Sequence, residues 1–572
     1  MPSNLTDTTD AEAGAPGARA THARRLGIVA LVIALIASLV VVRAASRFGQ
    51  TWDEPAHLAA GMQWLAHGTY DYDPQHPPLA RIAIALGPRL FGATAHGQPT
   101  MWTEGNTILM DSGPYARTLF LARLGVLPFF LLLLGVTWGW TRSLYGDAAA
   151  VVATLLVSTT PQILAHAGFA ANDLPLTATL MAALWTFTRW LERPTLGRTV
   201  VFAIAGAATI ATKFSSLPFF AVAAVLIIAA WWAIPSTRDD GARRRVALGE
   251  IREPARMAVA AAVIVGLLVW AVYRFHTRMA MGGRLPLPAP ELLTGIRALA
   301  AHNREGHTSY LLGNVSTHGW WWYWWVAFAV KTPLAFLSLS AVGIAWVLAP
   351  ARRGNWRALA PVLAAIAVML VAMISHIDIG VRHLLTLYPL LAIPAAGAVI
   401  SLWDRVPVRP VVRGVLGALI IWMTAQAVFA YPEFLADFNA LAGRHPERIL
   451  VDSNLDWGQD LDRLADTLHT RRVRAVTLFY FGSAPVGSVD LADTVRLGGS
   501  ARASGWVAVS QTYLQGDYVS CFTWLQAYTP VARIGRSIVL YDIKPDTVPR
   551  ITSLSRPTRS RAESYGPVLA GA

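Results

Sequence analysis

Two carboxylates side by side, Asp53 and Glu54, stand a few residues beyond a long apolar run, with His57 one helical turn further on. A carboxylate near hydrocarbon loses hydration and needs a partner or a task. Further along, the same kinds of group recur at the edges of apolar runs: His76 and Arg81, Asp173, Lys213, Lys331, and the pair Arg382 and His383. Carboxylates of this kind can take a proton from a hydroxyl, and cations can stabilise an anion that leaves. A base and an anion-binding set are therefore both present, provided the chain brings them to one place.

The elements that must do so are membrane helices. The 572 residues are 54% hydrophobic and 14% charged, with a positive mean hydropathy, which excludes an ordinary soluble protein. The net charge of +14 comes from arginines scattered between apolar runs, which argues against nucleic acid as a partner. Eleven segments are long enough to cross: 26–46, 116–140, 147–166, 174–191, 199–216, 217–234, 257–273, 323–349, 358–375, 384–403 and 414–430. The arginine-rich pieces "ARR" at 23–25, "TRDDGARRR", "ARRGNWR" and "DRVPVRPVVR" fall on one side and mark it as cytoplasmic. Residues 1–25 are expected to be a disordered cytoplasmic tail, and the first apolar run a retained anchor. Three long pieces then lie outside: 47–115, 274–322 and 431–572. The last has β-rich runs, "RILVDSN", "VRAVTLFYF", "GWVAVSQTYL" and "GRSIVLYDI", and is expected to be a small α/β domain.

In the first outer piece, Pro77 and Pro78 open a helix whose Leu79, Ile82, Ala83 and Leu86 form an apolar stripe, as an interfacial helix would. The stretch "WDEPAHLAAGMQWLAHGTYDYDPQHPPLAR" resembles the first external loop of the GT-C superfamily, in the branch of protein O-mannosyltransferases and aminoarabinose transferases. "LAHAGFAANDLP", "TKFS", "KTP", "GVRHLLTLYP" and "YPEFLADFNALAG" followed by "VDSNLDWGQDL" are similar to segments of bacterial phospholipid-carrier-dependent glycosyltransferases. The resemblance covers residues 51 to about 461 and leaves the tail unmatched.

The resemblance implies a GT-C fold, an α-helical polytopic membrane protein with a catalytic domain over 26–430, to which the β-rich runs add a C-terminal extracytoplasmic α/β domain. It implies a multi-pass enzyme of the inner (plasma) membrane, its active site on the extracytoplasmic side. The donor would be a polyprenyl-phosphate sugar, and the acceptor a glycan, lipid or protein outside. Asp53 is then the base, with Glu54 orienting the acceptor or tuning Asp53, and Asp173 binding hydroxyls. Arg81 and Arg382, backed by His57, His76, Lys331 and His383, would hold the phosphate, with inversion at the anomeric carbon and neither cofactor nor metal.

Other readings stand beside these. Asp53, Glu54 and Asp173 could be helix caps, Lys213 could snorkel or meet a helix-end carbonyl, and Arg382 could pair with Asp378. "HGWWWYWWVAF" at 318–328 is either an interfacial aromatic belt or a stacking surface for sugar or lipid. A transporter or flippase would place ionisable groups at mid-membrane, and a ligase using a pyrophosphate carrier would need a more cationic loop surface. Cys521, the one cysteine, reads as a small buried residue, and no Walker loop, dinucleotide fingerprint or zinc-spaced set occurs.

Overall fold

The structure, a computed structural model, describes residues 16–234, 252–280, 285–352, 355–404, 410–495, 502–516 and 519–545. Helices dominate as far as Ala430. The first runs Pro16–Ala45, so residues 16–25 continue the anchor helix instead of forming a disordered tail, and 1–15 lie outside the described residues. Its Leu31, Leu35 and Leu39 are exposed, as an apolar face toward lipid requires.

Among the described residues, seven helices are long and apolar enough to cross a membrane, or eight if one bent pair is a single span, against the eleven expected. The differences have local causes. Tyr115–Ser158 counts as one apolar stretch, yet its backbone breaks at Gly146, where φ is 86°, and this separates the expected 116–140 and 147–166 segments. The 147–166 segment breaks again before Pro161, which opens a short helix to Ala167. Asp173–Glu192 is helical throughout but carries polar groups on a buried face, while Leu196–Ile210 spans only 15 residues.

The expected single span 323–349 is two helices, Tyr323–Lys331 and Leu334–Ala349, bent by 115°. Pro333 cannot donate to the ladder and pushes Thr332 into extended geometry (φ −98°, ψ 132°). The freed carbonyls are covered by Asn439, whose Nδ2 donates to Ala329 and Thr332 at 2.6 Å each. The aromatic run at this corner divides, with Tyr323 and Trp324 buried and Trp321 and Trp325 exposed.

The described residues of 47–115 and 274–322 pack around this bundle. Helix Glu54–His67 packs on Leu79–Leu90 so closely that a Cβ at Gly61 would lie 2.1 Å from the Arg81 carbonyl oxygen. The Leu79, Ile82, Ala83 and Leu86 stripe stays half-exposed or exposed, and the opposite face, with Ala80, Arg81, Ile84 and Ala85, is the buried one. Two small antiparallel hairpins, β1 (Thr277–Ala280) with β2 (Leu285–Pro288) and β3 (Ser309–Leu311) with β4 (Asn314–Ser316), flank helix Pro290–Glu305.

The C-terminal unit is a five-stranded sheet, β5 (Ala475–Phe479), β6 (Asp493–Val495), β7 (Gly505–Ser510), β8 (Ala532–Ile534) and β9 (Ile538–Ile543), in the order β6-β5-β7-β9-β8. β5 is parallel to β6 and β7, and β9 is antiparallel to β7 and β8. Helix Leu461–Thr470 covers one face with Leu461, Leu464 and Leu468, and Phe522 and Trp524 cover the other. Cys521 packs against this second face. "RILVDSN" is not a strand: it forms 3-10 turns at Pro446–Arg448 and Asp452–Asn454, with Asp452 at φ 55°. Residues 431–460 pack into the membrane bundle through Phe434, Leu435 and Trp457, so the sheet unit begins near Leu461 instead of 431.

Candidate functional site

The start of helix Glu54–His67 fixes Asp53. Its backbone is helical (φ −84°, ψ −15°), Pro55 follows at the first turn, and its carboxylate makes no capping bond. Instead Oδ2 accepts from Arg382 Nη1 at 2.7 Å, across 329 residues of sequence. The same Nη1 donates to Asp173 Oδ2 at 3.3 Å, and Asp173 Oδ1 accepts from Lys213 Nζ at 2.5 Å. Asp173 also caps nothing, although it begins a helix. One chain of alternating charge therefore joins four elements: Asp53, Arg382, Asp173, Lys213. Lys213 meets a carboxylate, not a helix-end carbonyl.

Arg382 sits in a 3-10 turn, Val381–Leu384, held by the returning 452–457 segment. Its Nε donates to Ser453 Oγ at 3.1 Å, Asn454 Oδ1 takes the Val381 amide at 2.9 Å, and the guanidinium lies 4.5 Å from the Trp457 ring centre. Asp378 does not pair with it. Asp378 Oδ2 accepts the Trp320 amide at 2.7 Å, and burial pushes this carboxyl up to about 7. His383 stacks on Trp324 at 5.8 Å. Burial, with Lys213 and Arg382 nearby, holds His383 well below the usual imidazole range, so it is neutral at pH 7.

Glu54 points the other way. Its carboxylate pairs with Arg123 through two bonds of 2.7 Å and accepts the amides of Ala170 (2.9 Å) and Thr51 (2.8 Å). Arg123 in turn donates to the carbonyls of Ala45, Phe48 and Gly49. Both side chains are 1% exposed, and every strong acceptor position of Glu54 is taken. The geometry makes this pair a structural clasp between the anchor helix, the first loop and the Ala170 turn, and leaves Glu54 no face for an acceptor.

Arg81 is equally committed. It donates to the Asp73 carboxylate and backbone, to Tyr70 Oη (3.2 Å) and to His57 Nδ1 (3.0 Å), and is wholly buried. Burial alone would raise the Asp73 carboxyl, but Arg81 and His76 hold it well below the usual carboxylate range. His76 shares Asp73 at 3.1 Å and lies edge to face with His57 at 5.8 Å. Burial lowers both imidazoles, and Arg81 lowers His57 further. Lys331 is also withdrawn: its ammonium donates to the carbonyls of Leu435 (2.7 Å) and Asn454 (2.6 Å), lies 3.9 Å from the Phe438 ring centre, and is wholly buried. These contacts remove Arg81 and Lys331 from direct reach of a phosphate.

Sequence reasoning missed Arg123, Asp73, Ser453 and Trp457. Arg123 carried a usable signal, an arginine inside an apolar run. Asp73 lies in "YDYDPQHPP", where its spacing to Arg81 gives none. Among the described residues no group of three or more His, Cys, Asp and Glu could hold a metal ion.

The C-terminal unit reaches this site. Ser483 Oγ donates to the Trp52 carbonyl at 2.7 Å, Asn106 Nδ2 donates to the Ser483 carbonyl at 2.9 Å, and Trp52 stacks on Phe481 at 4.8 Å.

An apolar helical bundle thus carries a cluster of carboxylates and cations at one end, and part of the chain matches a known family. Residues 29–279 match the model of the family described as dolichyl-phosphate-mannose-protein mannosyltransferase, a segment that carries Asp53, Asp173 and Lys213. The structure is similar to that of ArnT from Cupriavidus metallidurans bound to undecaprenyl phosphate, at 14% identity over 89% of this chain and 97% of that one, with a TM-score of 0.47. It is similar to AglB from Archaeoglobus fulgidus in complex with an inhibitory peptide and a dolichol-phosphate, at 13% identity over 91% and 75%, with a TM-score of 0.46. The mycobacterial arabinofuranosyltransferase AftD matches at 12% identity over 91% and 40%, with a TM-score of 0.39. No curated protein sequence matches the chain.

Proposed function

We propose that the chain transfers a sugar from a polyprenyl-monophosphate carrier to a hydroxyl acceptor on the extracytoplasmic side of the inner (plasma) membrane. The observation that carries this reading is the state of Asp53. Its side chain is 24% exposed, with one oxygen fixed by Arg382, whereas Asp173 beyond it is 1% exposed. A carboxylate anchored through one oxygen and open at the mouth of the bundle is placed as a general base. The matched family's description names a dolichyl-phosphate-linked sugar, which supports a monophosphate carrier. The arginines Arg142, Arg189, Arg198 and Arg357 at the other end of the bundle support the orientation.

In the proposed step the acceptor hydroxyl attacks the anomeric carbon as Asp53 takes its proton. The bond from that carbon to the phosphate oxygen breaks, and polyprenyl phosphate leaves with the electron pair. Arg382 and Lys213 meet its charge, with His76 and His383 beside them, and Asp173 holds both cations in position before donor arrives. The anomeric configuration inverts. Arg81 acts indirectly, by fixing His57 and the Asp73–His76 pair. The groups assigned to the reaction gather at one end of the bundle, which fits a surface reaction better than a translocation path through its middle.

The test is donor consumption by the purified chain with sugars on a monophosphate or a pyrophosphate polyprenyl carrier. The proposal expects release of polyprenyl phosphate from the first only, falling by roughly 10²–10³ in Arg382→Gln. Equal turnover of the pyrophosphate donor, or turnover indifferent to Arg382, would overturn it.

A further inference from the structure

The end of the bundle away from Asp53 holds a second charged cavity. Helix Asp173–Glu192 runs unbroken from the site, so Arg189, sixteen residues on, lies about 24 Å from Asp173 at 1.5 Å per residue. That distance approaches the thickness of a hydrocarbon core, which puts Arg189 at the depth of the opposite headgroups. There a cavity of about 540 Å³ opens, lined by Arg142, Arg189, Arg198 and Arg357, with Trp138 and Trp185 on its wall.

Among the described residues, positive charge in this cavity is undercompensated. Glu192 is shared between Arg198 (3.3 Å) and Arg357 (3.0 Å), and Asp147 meets Arg142 (2.6 Å). Arg189 stacks over Trp185 at 5.6 Å and, among the described residues, has no carboxylate within ion-pair distance. Among the described residues, four guanidinium groups thus face two carboxylates. Guanidinium forks match phosphate oxygens, and indole rings suit the level where headgroup meets acyl chain. Basic pockets between membrane helices on the positive side suit anionic headgroups.

We propose that this cavity binds the phosphate headgroup of an anionic phospholipid from the leaflet opposite the Asp53 site. Arg189 and Arg198 grip the phosphate, Trp138 and Trp185 border the glycerol and upper acyl chain, and the lipid ties together the ends of the helices that meet there. The inference does not rest on the transfer reaction, because Glu192 is committed to two arginines and, among the described residues, no other carboxylate lines the cavity.

The test is native mass spectrometry of the full-length chain in detergent, with phosphatidylglycerol, phosphatidylcholine or glycerol phosphate added. The wild type should retain phosphatidylglycerol at least tenfold over phosphatidylcholine. Arg189→Gln, which breaks no ion pair among the described residues, should cut that preference severalfold, and Arg189→Gln with Arg198→Gln should abolish it while the unfolding midpoint without lipid stays within the range of Arg189→Gln alone. Arg189→Lys should restore part of it. Equal retention by wild type and both glutamine variants, or no preference over phosphatidylcholine, would overturn the site. Displacement of the lipid by glycerol phosphate at equal concentration would overturn the lipid as its occupant.

Discussion

Asp53 and Glu54 are neighbours in sequence, each bonded to an arginine from a distant part of the chain, yet they end in opposite environments. Glu54 and Arg123 are sealed, with all their strong hydrogen-bonding positions filled by each other and by backbone groups. Asp53 and Arg382 form an open link: the arginine bridges to Asp173, and the carboxylate reaches the surface. A buried pair with every bond satisfied holds structure together, while a pair left partly open can exchange its partner for substrate. The difference shows that an acidic residue at a helix mouth is not given its role by position alone. The partner and its remaining bonds decide it.

The contrast can be sharpened by breaking the sealed pair first. Glu54→Gln leaves Arg123 charged and underpaired in the interior, and should lower unfolding stability by about 3–5 kcal/mol, read as a fall in the detergent unfolding midpoint. Next comes Lys331→Met, which strips the donor from the Leu435 and Asn454 carbonyls and should cost about 1–3 kcal/mol of stability. Its donor KM per folded molecule should stay near that of the wild type. A tenfold rise in KM with unchanged stability would return Lys331 to the phosphate-binding set. Ser483→Ala releases the Trp52 carbonyl from the C-terminal unit, and should cost about 1 kcal/mol together with a modest loss of turnover, because Trp52 precedes the proposed base.

The remaining effect, read across pH, concerns the buried Asp456. Burial pushes its carboxyl up to about 8, against an ordinary value near 3.9 when unfolded. The folded chain therefore holds a proton that the unfolded chain has released, and stability falls as pH rises from about 4 toward 8. Asp456→Asn does not titrate, so its midpoint relative to wild type should become more favourable from pH 5 to pH 8, by a few degrees at most. A constant difference would mean that Asp456 is ionised in the folded chain.

Much of this arrangement can be read from residue order, for reasons that are physical. The helical bundle follows from long apolar runs, and Asp53, Asp173 and Arg382 stand out because charge beside hydrocarbon is costly. The structure brings those three together across 209 and 329 residues. What pattern alone misses is the identity of distant partners. Nothing near Glu54 announces Arg123, 69 residues away, and nothing near Lys331 shows that Leu435 and Asn454 fold back to cover it. The segment "RILVDSN" has strand composition, yet tertiary bonds from Ser453 and Asn454 to the Arg382 turn draw it into 3-10 geometry. An apolar run shows hydropathy, but breaks such as those at Gly146 and Pro333 decide whether it is one helix.

The central claim is that the open carboxylate acts as base while the sealed one only supports the fold. Sugar transfer from a polyprenyl-phosphate donor by Asp53→Asn and Glu54→Gln, each normalised to folded protein and measured with donor binding, tests it most directly. The account predicts that Asp53→Asn keeps its unfolding midpoint and binds donor but loses roughly 10²–10⁴ in turnover, and that Glu54→Gln works at near wild-type rate in whatever fraction folds. A folded, donor-binding Asp53→Asn with near wild-type turnover, or a stable Glu54→Gln without activity, would contradict it.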